Sequence, residues 1–185
     1  MNKIYFITTN SYKFQKFTES FQLDQYTVHQ LEIEIPEIQA QTNREVANFS
    51  AQWAASKTKH TVLKEDIGIY IHALDGFPGV YLSDIEKQIK SEGFLHLLGG
   101  VEDRSAHWEY AISYCEPGED PISFYTHQEG IISHEPLGQS GWFMDKIFIP
   151  KGKEKTIAQL LDDDEYIRNN DHYKKLEEYL RSLND

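Results

Sequence analysis

The sequence predicts an α/β fold. Short apolar runs and segments with helical spacing alternate along the first sixty residues, and the order βαβα is typical of a sheet covered by helices. Strand-like patterns are dense between residues 107 and 132, and the last segment has the spacing of an amphipathic helix. A length of 185 residues indicates one domain over 1–185, or two closely packed lobes.

The first strand is predicted over residues 4–7, Ile-Tyr-Phe-Ile, and the polar turn Thr8-Thr9-Asn10-Ser11 follows it. Phe14, Phe17 and Phe21 then recur at helical spacing. A strand therefore leads through a polar turn into a helix.

A second strand is predicted over residues 26–35, where Pro36 ends it. The next helix is expected from about Asn43 to Lys59. One face of that helix carries four apolar side chains, Val46, Phe49, Trp53 and Ala54.

Glu65 and Asp66 are predicted to begin another strand, which continues through the apolar residues 67–73. A turn at residues 75–79, Asp-Gly-Phe-Pro-Gly, then leads to a helix over about 84–98. Longer strands are expected between 107 and 132.

The C-terminal helix is predicted from a repeat of apolar side chains, after Asn170 and Asp171 as candidate caps. The repeat consists of Leu176, Tyr179, Leu180 and Leu183.

Composition excludes several classes of protein. Hydrophobic residues make up 39% and charged residues 26%, which is typical of a folded chain rather than a disordered one. The 30 acidic against 18 basic residues argue against a nucleic-acid polymer or a membrane surface as partner. Because the sequence contains no apolar run of about 20 residues and no secretory signal pattern, a cytoplasmic protein is expected. The lone Cys115 fits an inert strand thiol.

The turn Thr8-x-Asn10-x-x-Lys13 is a candidate phosphate site. Where a strand feeds a helix, a hydroxyl, an amide, backbone N–H groups and an ammonium can converge on one anion. Thr and Asn at a helix start are also common as simple caps, so this turn alone leaves both interpretations open.

Glu37 and Asp66 are candidate ligands for Mg²⁺. Carboxylates beside a phosphate site are the usual way to hold this ion, although most carboxylates of an acidic chain are solvated surface groups. A zinc site is not expected, because HxxxH, HxH and HExxH spacings are missing and Cys115 is the single cysteine.

The segment Gly141–Phe148 surrounds Asp145 with large aromatic side chains, Trp142 among them. Such a segment could stack on a planar ring and bind its edge. The alternative is a core strand with an exposed Asp145.

Several motifs follow one another along nearly the whole chain. Glu65-Asp66-Ile67-Gly68-Ile69 and Ala73-Leu-Asp-Gly-Phe-Pro-Gly-Val-Tyr81 form the most specific block. The others are the Thr8, Asn10, Lys13 turn, Pro36-Glu-Ile-Gln39, Glu102-Asp-Arg-Ser-Ala106, Gly130-Ile-Ile132, Gly141–Phe148, Pro150-x-Gly152 and Lys155-Thr-Ile-Ala-Gln159. Taken in order, they resemble the inosine triphosphate pyrophosphatase family, also called the Ham1 or RdgB-like nucleotide pyrophosphatases.

This resemblance implies an elongated mixed sheet with helical lobes around a central nucleotide cleft, and a homodimer. The implied reaction is the hydrolysis of ITP, dITP or XTP to the monophosphate and pyrophosphate with Mg²⁺. By the same resemblance Thr8, Asn10 and Lys13 would hold the phosphates. Glu37 and Asp66 would place the metal and the attacking water, with Asp66 as the catalytic residue. Trp142, Asp145 and His172 would face the base.

The chain departs from the family pattern at two charged positions. Tyr173 follows His172 where the family has a base-reading arginine, and Ser50 precedes Ala51 where the family has a phosphate-side lysine. Losing one charged donor is worth roughly 1.5–3 kcal/mol, so the base preference becomes an open question.

Three further departures surround the ring site and the metal strand. Phe143 replaces a glycine, Lys146 a proline and Ile67 a small hydroxyl residue. Lys146 or Lys174 is a candidate for the missing positive charge. Two alternatives therefore stand beside the leading prediction: the same scaffold acting on a different modified nucleotide, and a catalytically impaired nucleotide-binding or interaction protein.

Overall fold

The structure, a computed structural model, describes residues 2–166 and 168–183. Met1, Ile167, Asn184 and Asp185, which the predicted domain 1–185 includes, lie outside the described residues. The strands are β1 Asn2–Ile7, β2 Tyr26–Leu31, β3 Val62–Ile71, β4 Pro78–Gly79, β5 Ser105–Cys115, β6 Ile122–Ile132 and β7 Phe148–Pro150. The α-helices are α1 Ser11–Ser20, α2 Asn43–Thr58, α3 Leu82–Leu97, α4 Ile157–Asp162 and α5 Asp171–Ser182. The predicted α/β class is confirmed.

The strands of the described chain form one mixed sheet. Its order is β2-β1-β3-β5-β6-β7, and β4 pairs with β3 beside this path. The β1 strand is parallel to both β2 and β3, whereas β3–β4 and β6–β7 are antiparallel. In the described part of the chain, no helix is long and apolar enough to cross a membrane.

The chain divides into two compact units. The first contains residues 1–67, 110–126 and 170–185, and the second contains 68–109 and 127–169.

The first unit has a hydrophobic core on each face of its sheet. On one face Ile4, Phe6 and Leu63 pack against Phe17 of α1 and Leu176 of α5. The other face buries Ile7 and Val62 against the small residues Ala51, Ala54 and Ala55 of α2. Because strand side chains alternate between faces, neighbouring residues of β1 and β3 belong to different cores.

This alternation assigns the charged residues of β3 to opposite faces. Glu65 follows the period of Leu63 toward α1 and α5, whereas Lys64 and Asp66 follow the period of Val62 toward α2. The two carboxylates that are adjacent in sequence therefore have different neighbours.

Two predicted strand boundaries are wrong. The β2 strand ends at Leu31 rather than at residue 35, because its partner β1 ends at Ile7, which pairs with Leu31. Glu37 consequently lies in an irregular segment and not at a strand end. The β3 strand begins at Val62, which pairs with Tyr5 of β1, so Asp66 lies inside the strand and not at its start.

In the second unit, Arg104, which follows Glu102-Asp103, has a structural role. Its guanidinium is buried and donates to three backbone carbonyls, those of Ile132 at 2.7 Å, Leu98 at 3.1 Å and Ser133 at 2.5 Å. One side chain thus joins the end of α3 to the strand that ends at Ile132.

The predicted helix over 84–98 is observed as α3 but is interrupted. Lys90 has a φ of 46°, which breaks the regular helix between its two halves. The hydroxyl of the next residue, Ser91, is buried and donates to the carbonyl of Phe143 at 2.6 Å.

The α2 helix begins with a capping box. Thr42 Oγ1 accepts from the N–H of Glu45 at 3.2 Å, and the Glu45 carboxylate accepts from the N–H of Thr42 at 3.0 Å. This cap fixes the first turn, which carries the buried Asn43.

Replacing Thr42 by alanine is expected to lower the free energy of unfolding by about 1 kcal/mol, because the helix start loses its side-chain acceptor. Urea denaturation followed by circular dichroism measures the change. Thr18→Ala, at an exposed position of α1, is the control and should stay within about 0.5 kcal/mol of the wild type. Equal effects of the two substitutions would contradict the role of the cap.

Candidate active site

The phosphate-type turn between β1 and α1 is locally closed by its own side chains. Asn10 is the N-cap, and its Oδ1 accepts from the N–H groups of Tyr12 at 3.0 Å and Lys13 at 3.2 Å. Thr8 Oγ1 accepts from the N–H of Asn10 at 3.0 Å. Asn10 therefore acts as a cap, and Lys13 belongs to the first turn of the helix whose positive end faces this turn.

Lys13 links this turn to β3. Its Nζ lies 3.9 Å from Oε2 of Glu65, and its side chain is 31% exposed. The contact is too long for a strong hydrogen bond, so Lys13 remains able to turn toward a ligand.

Glu65 is a buried carboxylate that is held by two residues of α5. Oε1 accepts from the Tyr173 hydroxyl, and Nε2 of His172 lies 3.2 Å from the same oxygen. Burial acts to raise the pKa of Glu65, but the His172 hydrogen bond, the Lys13 charge and the Tyr173 bond outweigh it and bring this pKa below its usual value. Glu65 is therefore ionised at neutral pH.

The orientation of His172 follows from this carboxylate. Since an ionised carboxylate only accepts, Nε2 of His172 carries the proton of their hydrogen bond. Its Nδ1 is buried and has no hydrogen-bond partner among the described residues. The imidazole also stacks on Tyr110, with ring centroids 5.6 Å apart.

Asp66 has a different environment on the α2 face. Its Oδ2 accepts from the Asn43 side-chain amide at 2.6 Å. Desolvation raises the pKa of Asp66, although the Lys13 charge and the Asn43 bond oppose this effect. Asp66 is thus a positioned carboxylate with more basic character than an exposed aspartate.

Lys64 points toward the same face as Asp66. Burial lowers the pKa of its ammonium, and the charge of Lys13 lowers it further, while Asp66 and Glu65 act in the opposite direction. Lys64 is therefore a cation on the Asp66 face of β3 that the sequence did not single out.

The residues around Asp66 meet part of the ligand requirement of Mg²⁺. Mg²⁺ is usually held by one or two carboxylates together with substrate phosphates and water, and Asp66 offers such an oxygen. Across residues 2–166 and 168–183, no three His, Cys, Asp or Glu side chains are grouped as metal ligands. Glu37 is exposed between β2 and α2, so its pairing with Asp66 stays a prediction.

In the second unit, the segment around Asp145 is neither a strand nor exposed. Residues Phe143–Lys146 form a 3₁₀ turn, and Asp145 is completely buried. Its Oδ2 accepts from the N–H of Trp142 at 2.7 Å, while its Oδ1 has no hydrogen-bond partner in the described residues. A contact of Asp145 with a base stays a prediction.

Arg168 is the residue of this cluster that the sequence did not indicate. Its Nη2 lies 3.0 Å from Oδ2 of Asp145, and its side chain is about one third exposed. Gly141 makes room for the carboxylate: its φ is 82°, and a Cβ there would lie 2.6 Å from the same oxygen. The Trp142 indole donates to Glu86, and the Phe143 ring packs against Trp142 and Phe94.

These features agree with comparisons to known proteins. Residues 4–170 match the family model described as the Ham1 family. The chain belongs to the Ham1 family. The resemblance found in its motifs is thereby confirmed.

Similar proteins cover nearly all of this Ham1-family chain. It is 36% identical over 158 residues to the dITP/XTP pyrophosphatase of Methanopyrus kandleri, covering 85% of this chain and 84% of the relative. Identity to the dITP/XTP pyrophosphatase of Pyrococcus horikoshii is 38% over 158 residues, with the same shares covered. The solved HAM1 protein of Coxiella burnetii matches 98% of this chain and 100% of its own, with 26% identity and a TM-score of 0.84.

Tyr173→Phe is expected to lower the free energy of unfolding by about 1.5–3 kcal/mol at pH 7, because a buried charged acceptor loses a donor. The pKa of Glu65 lies below its usual 4.5 in the folded protein. The part of the stabilisation that depends on the charge of Glu65 is therefore complete above pH 4.5 and is lost as the pH falls through the folded pKa. Denaturant titrations at several pH values measure the difference.

Tyr12→Phe, at a mostly exposed hydroxyl, is the control for this experiment and should change stability little at any pH. A loss for Tyr173→Phe that stays constant as Glu65 becomes protonated would contradict the assigned bond.

Proposed function

We propose that this Ham1-family protein hydrolyses noncanonical purine nucleoside triphosphates, dITP, ITP and XTP, to the monophosphate and pyrophosphate. The observation that carries the proposal is the position of Asp66, a desolvated carboxylate oriented by Asn43 and within electrostatic reach of Lys13. The names of the relatives, dITP/XTP pyrophosphatases, support the substrate class.

The phosphate chain would bind at the start of α1. Lys13 supplies a charge that is not locked in a short ion pair, and the amide end of α1 adds a favourable field for an anion. Thr8 and Asn10 would bind the phosphates together with Lys13, and their own hydrogen bonds keep this turn in shape.

Asp66 would act on the attacking water. The carboxylate accepts a proton from water while the water oxygen bonds to the α-phosphorus. The bond between that phosphorus and the bridging oxygen breaks, and pyrophosphate leaves with the electron pair. Because its pKa is raised, Asp66 is a stronger base than an exposed aspartate, and the hydrogen bond from Asn43 orients its carboxylate.

Asp66 and Glu37 would hold Mg²⁺, which neutralises phosphate charge when it is bound. Trp142, Asp145 and His172 would recognise the base. The burial of Asp145 supports an indirect role, since it fixes the backbone of Trp142. Assembly as a homodimer, which the family resemblance implies, and a cytoplasmic location, which the sequence patterns lead us to expect, belong to the same proposal.

Release of pyrophosphate from a panel of triphosphates tests this function. With Mg²⁺, dITP, ITP and XTP should exceed dUTP and the four common triphosphates by about tenfold or more in kcat/KM. Asp66→Asn should lower kcat at least about 100-fold, since a positioned base is removed. Chromatography of the products distinguishes monophosphate plus pyrophosphate from diphosphate plus phosphate.

Asp24→Asn is the matched control, because it removes an exposed carboxylate of the same unit and should leave the rate unchanged. A preference for another base would favour the alternative of a different modified nucleotide. Nucleotide binding without release from any substrate would favour the impaired binding protein and overturn the proposed activity.

A further inference from the structure

Lys64 is a cation that has no direct anionic partner among the described residues. It is half-buried on β3, and in the described part of the chain its ammonium forms no hydrogen bond and no ion pair. Desolvation of a charge without such a partner is unfavourable. The charges that act on it most are those of Lys13, Asp66 and Glu65.

The contacts of the neighbouring residues on β3 indicate which part of α2 Lys64 faces. Asp66 is bonded to Asn43 at the first turn of α2, and Val62 packs with Ala51 and Ala54 further along the helix. Lys64 lies midway between Asp66 and Val62 on the same face of the strand. It therefore faces the part of α2 that lies between Asn43 and Ala51.

That part of α2 is lined by small residues. Ala47 and Ser50 are both buried there, and Ser50 lies seven residues, two helical turns, after Asn43 on the same side of the helix. Ser50 is also the position at which the chain lacks the lysine that its resemblance to the family leads one to expect. A small residue on the helix leaves room for a long cationic side chain from the strand.

We propose that Lys64 binds the triphosphate of the substrate and supplies, from β3, the positive charge that is missing at Ser50 of α2. This inference rests on the proposed function. It assigns the charge to a residue beside Lys13 and Asp66, in preference to Lys174, whose ammonium is exposed and donates to Asp171 at 2.7 Å.

Binding of inorganic tripolyphosphate tests the assignment without catalysis. Isothermal titration calorimetry should show Kd about tenfold or more higher for Lys64→Gln than for the wild type, because a charged donor is lost. Lys64→Arg, which keeps the charge, should stay within about threefold. Lys3→Gln removes the same charge from an exposed position of β1, and it and Lys174→Gln should both bind like the wild type.

A second experiment moves the positive charge from residue 64 of β3 to residue 50 of α2. In the Lys64→Gln background, Ser50→Lys should restore tripolyphosphate binding to within about threefold of the wild type. With dITP, Lys64→Gln should raise KM about tenfold and change kcat less. Melting temperatures of all variants show whether each one is folded.

Several outcomes would overturn the assignment. These are unchanged tripolyphosphate binding by a folded Lys64→Gln variant, equal losses for Lys64→Gln and Lys64→Arg, and a loss specific to Lys174→Gln. The proposed function fails separately: a wild type that hydrolyses no nucleotide, yet binds tripolyphosphate in a Lys64-dependent way, would refute the activity and leave the phosphate role standing.

Discussion

The alternation of side chains along β3 is the constraint on which the arrangement of the first unit depends. Leu63 and Val62 enter cores on opposite faces of the sheet, so the polar residues that follow are separated in the same way. Glu65 is directed to α5, and Asp66 is directed to α2. The pKa of Glu65 is thereby lowered from its usual value, whereas that of Asp66 is raised.

Burial of a carboxylate has to be compensated by donors, and Tyr173 is one of the donors to Glu65. A buried Glu65 needs groups that donate to it, and the Tyr173 hydroxyl and His172 meet that need. The Tyr173 hydroxyl thus forms a hydrogen bond within the protein. The second unit applies the same rule, since the fully buried Asp145 is held by the Trp142 amide and by Arg168.

Much of the fold was predictable because its patterns are local. The helix of residues 43–58 was expected from apolar spacing, and the motifs of the chain identified the family. The predicted face of that helix is wrong in part: Ala54 is buried, but Val46, Phe49 and Trp53 are half-buried, and the small residues Ala47, Ala51 and Ala55 are buried instead. Strand ends were predicted less well, because the end of β2 depends on where β1 stops. For the site, the roles of Thr8, Lys13 and Asp66 remain proposals that the geometry supports.

The sequence by itself determined the class of fold, the family and the residue types available for phosphate chemistry. Only the tertiary structure decided which of them meet. The bond from Tyr173 to Glu65 spans 108 positions of the chain, and the pair formed by Arg168 and Asp145 spans 23. Such contacts depend on strand register and on the packing of helices against particular faces. The spacing of residues within a short segment of sequence gives no information on either.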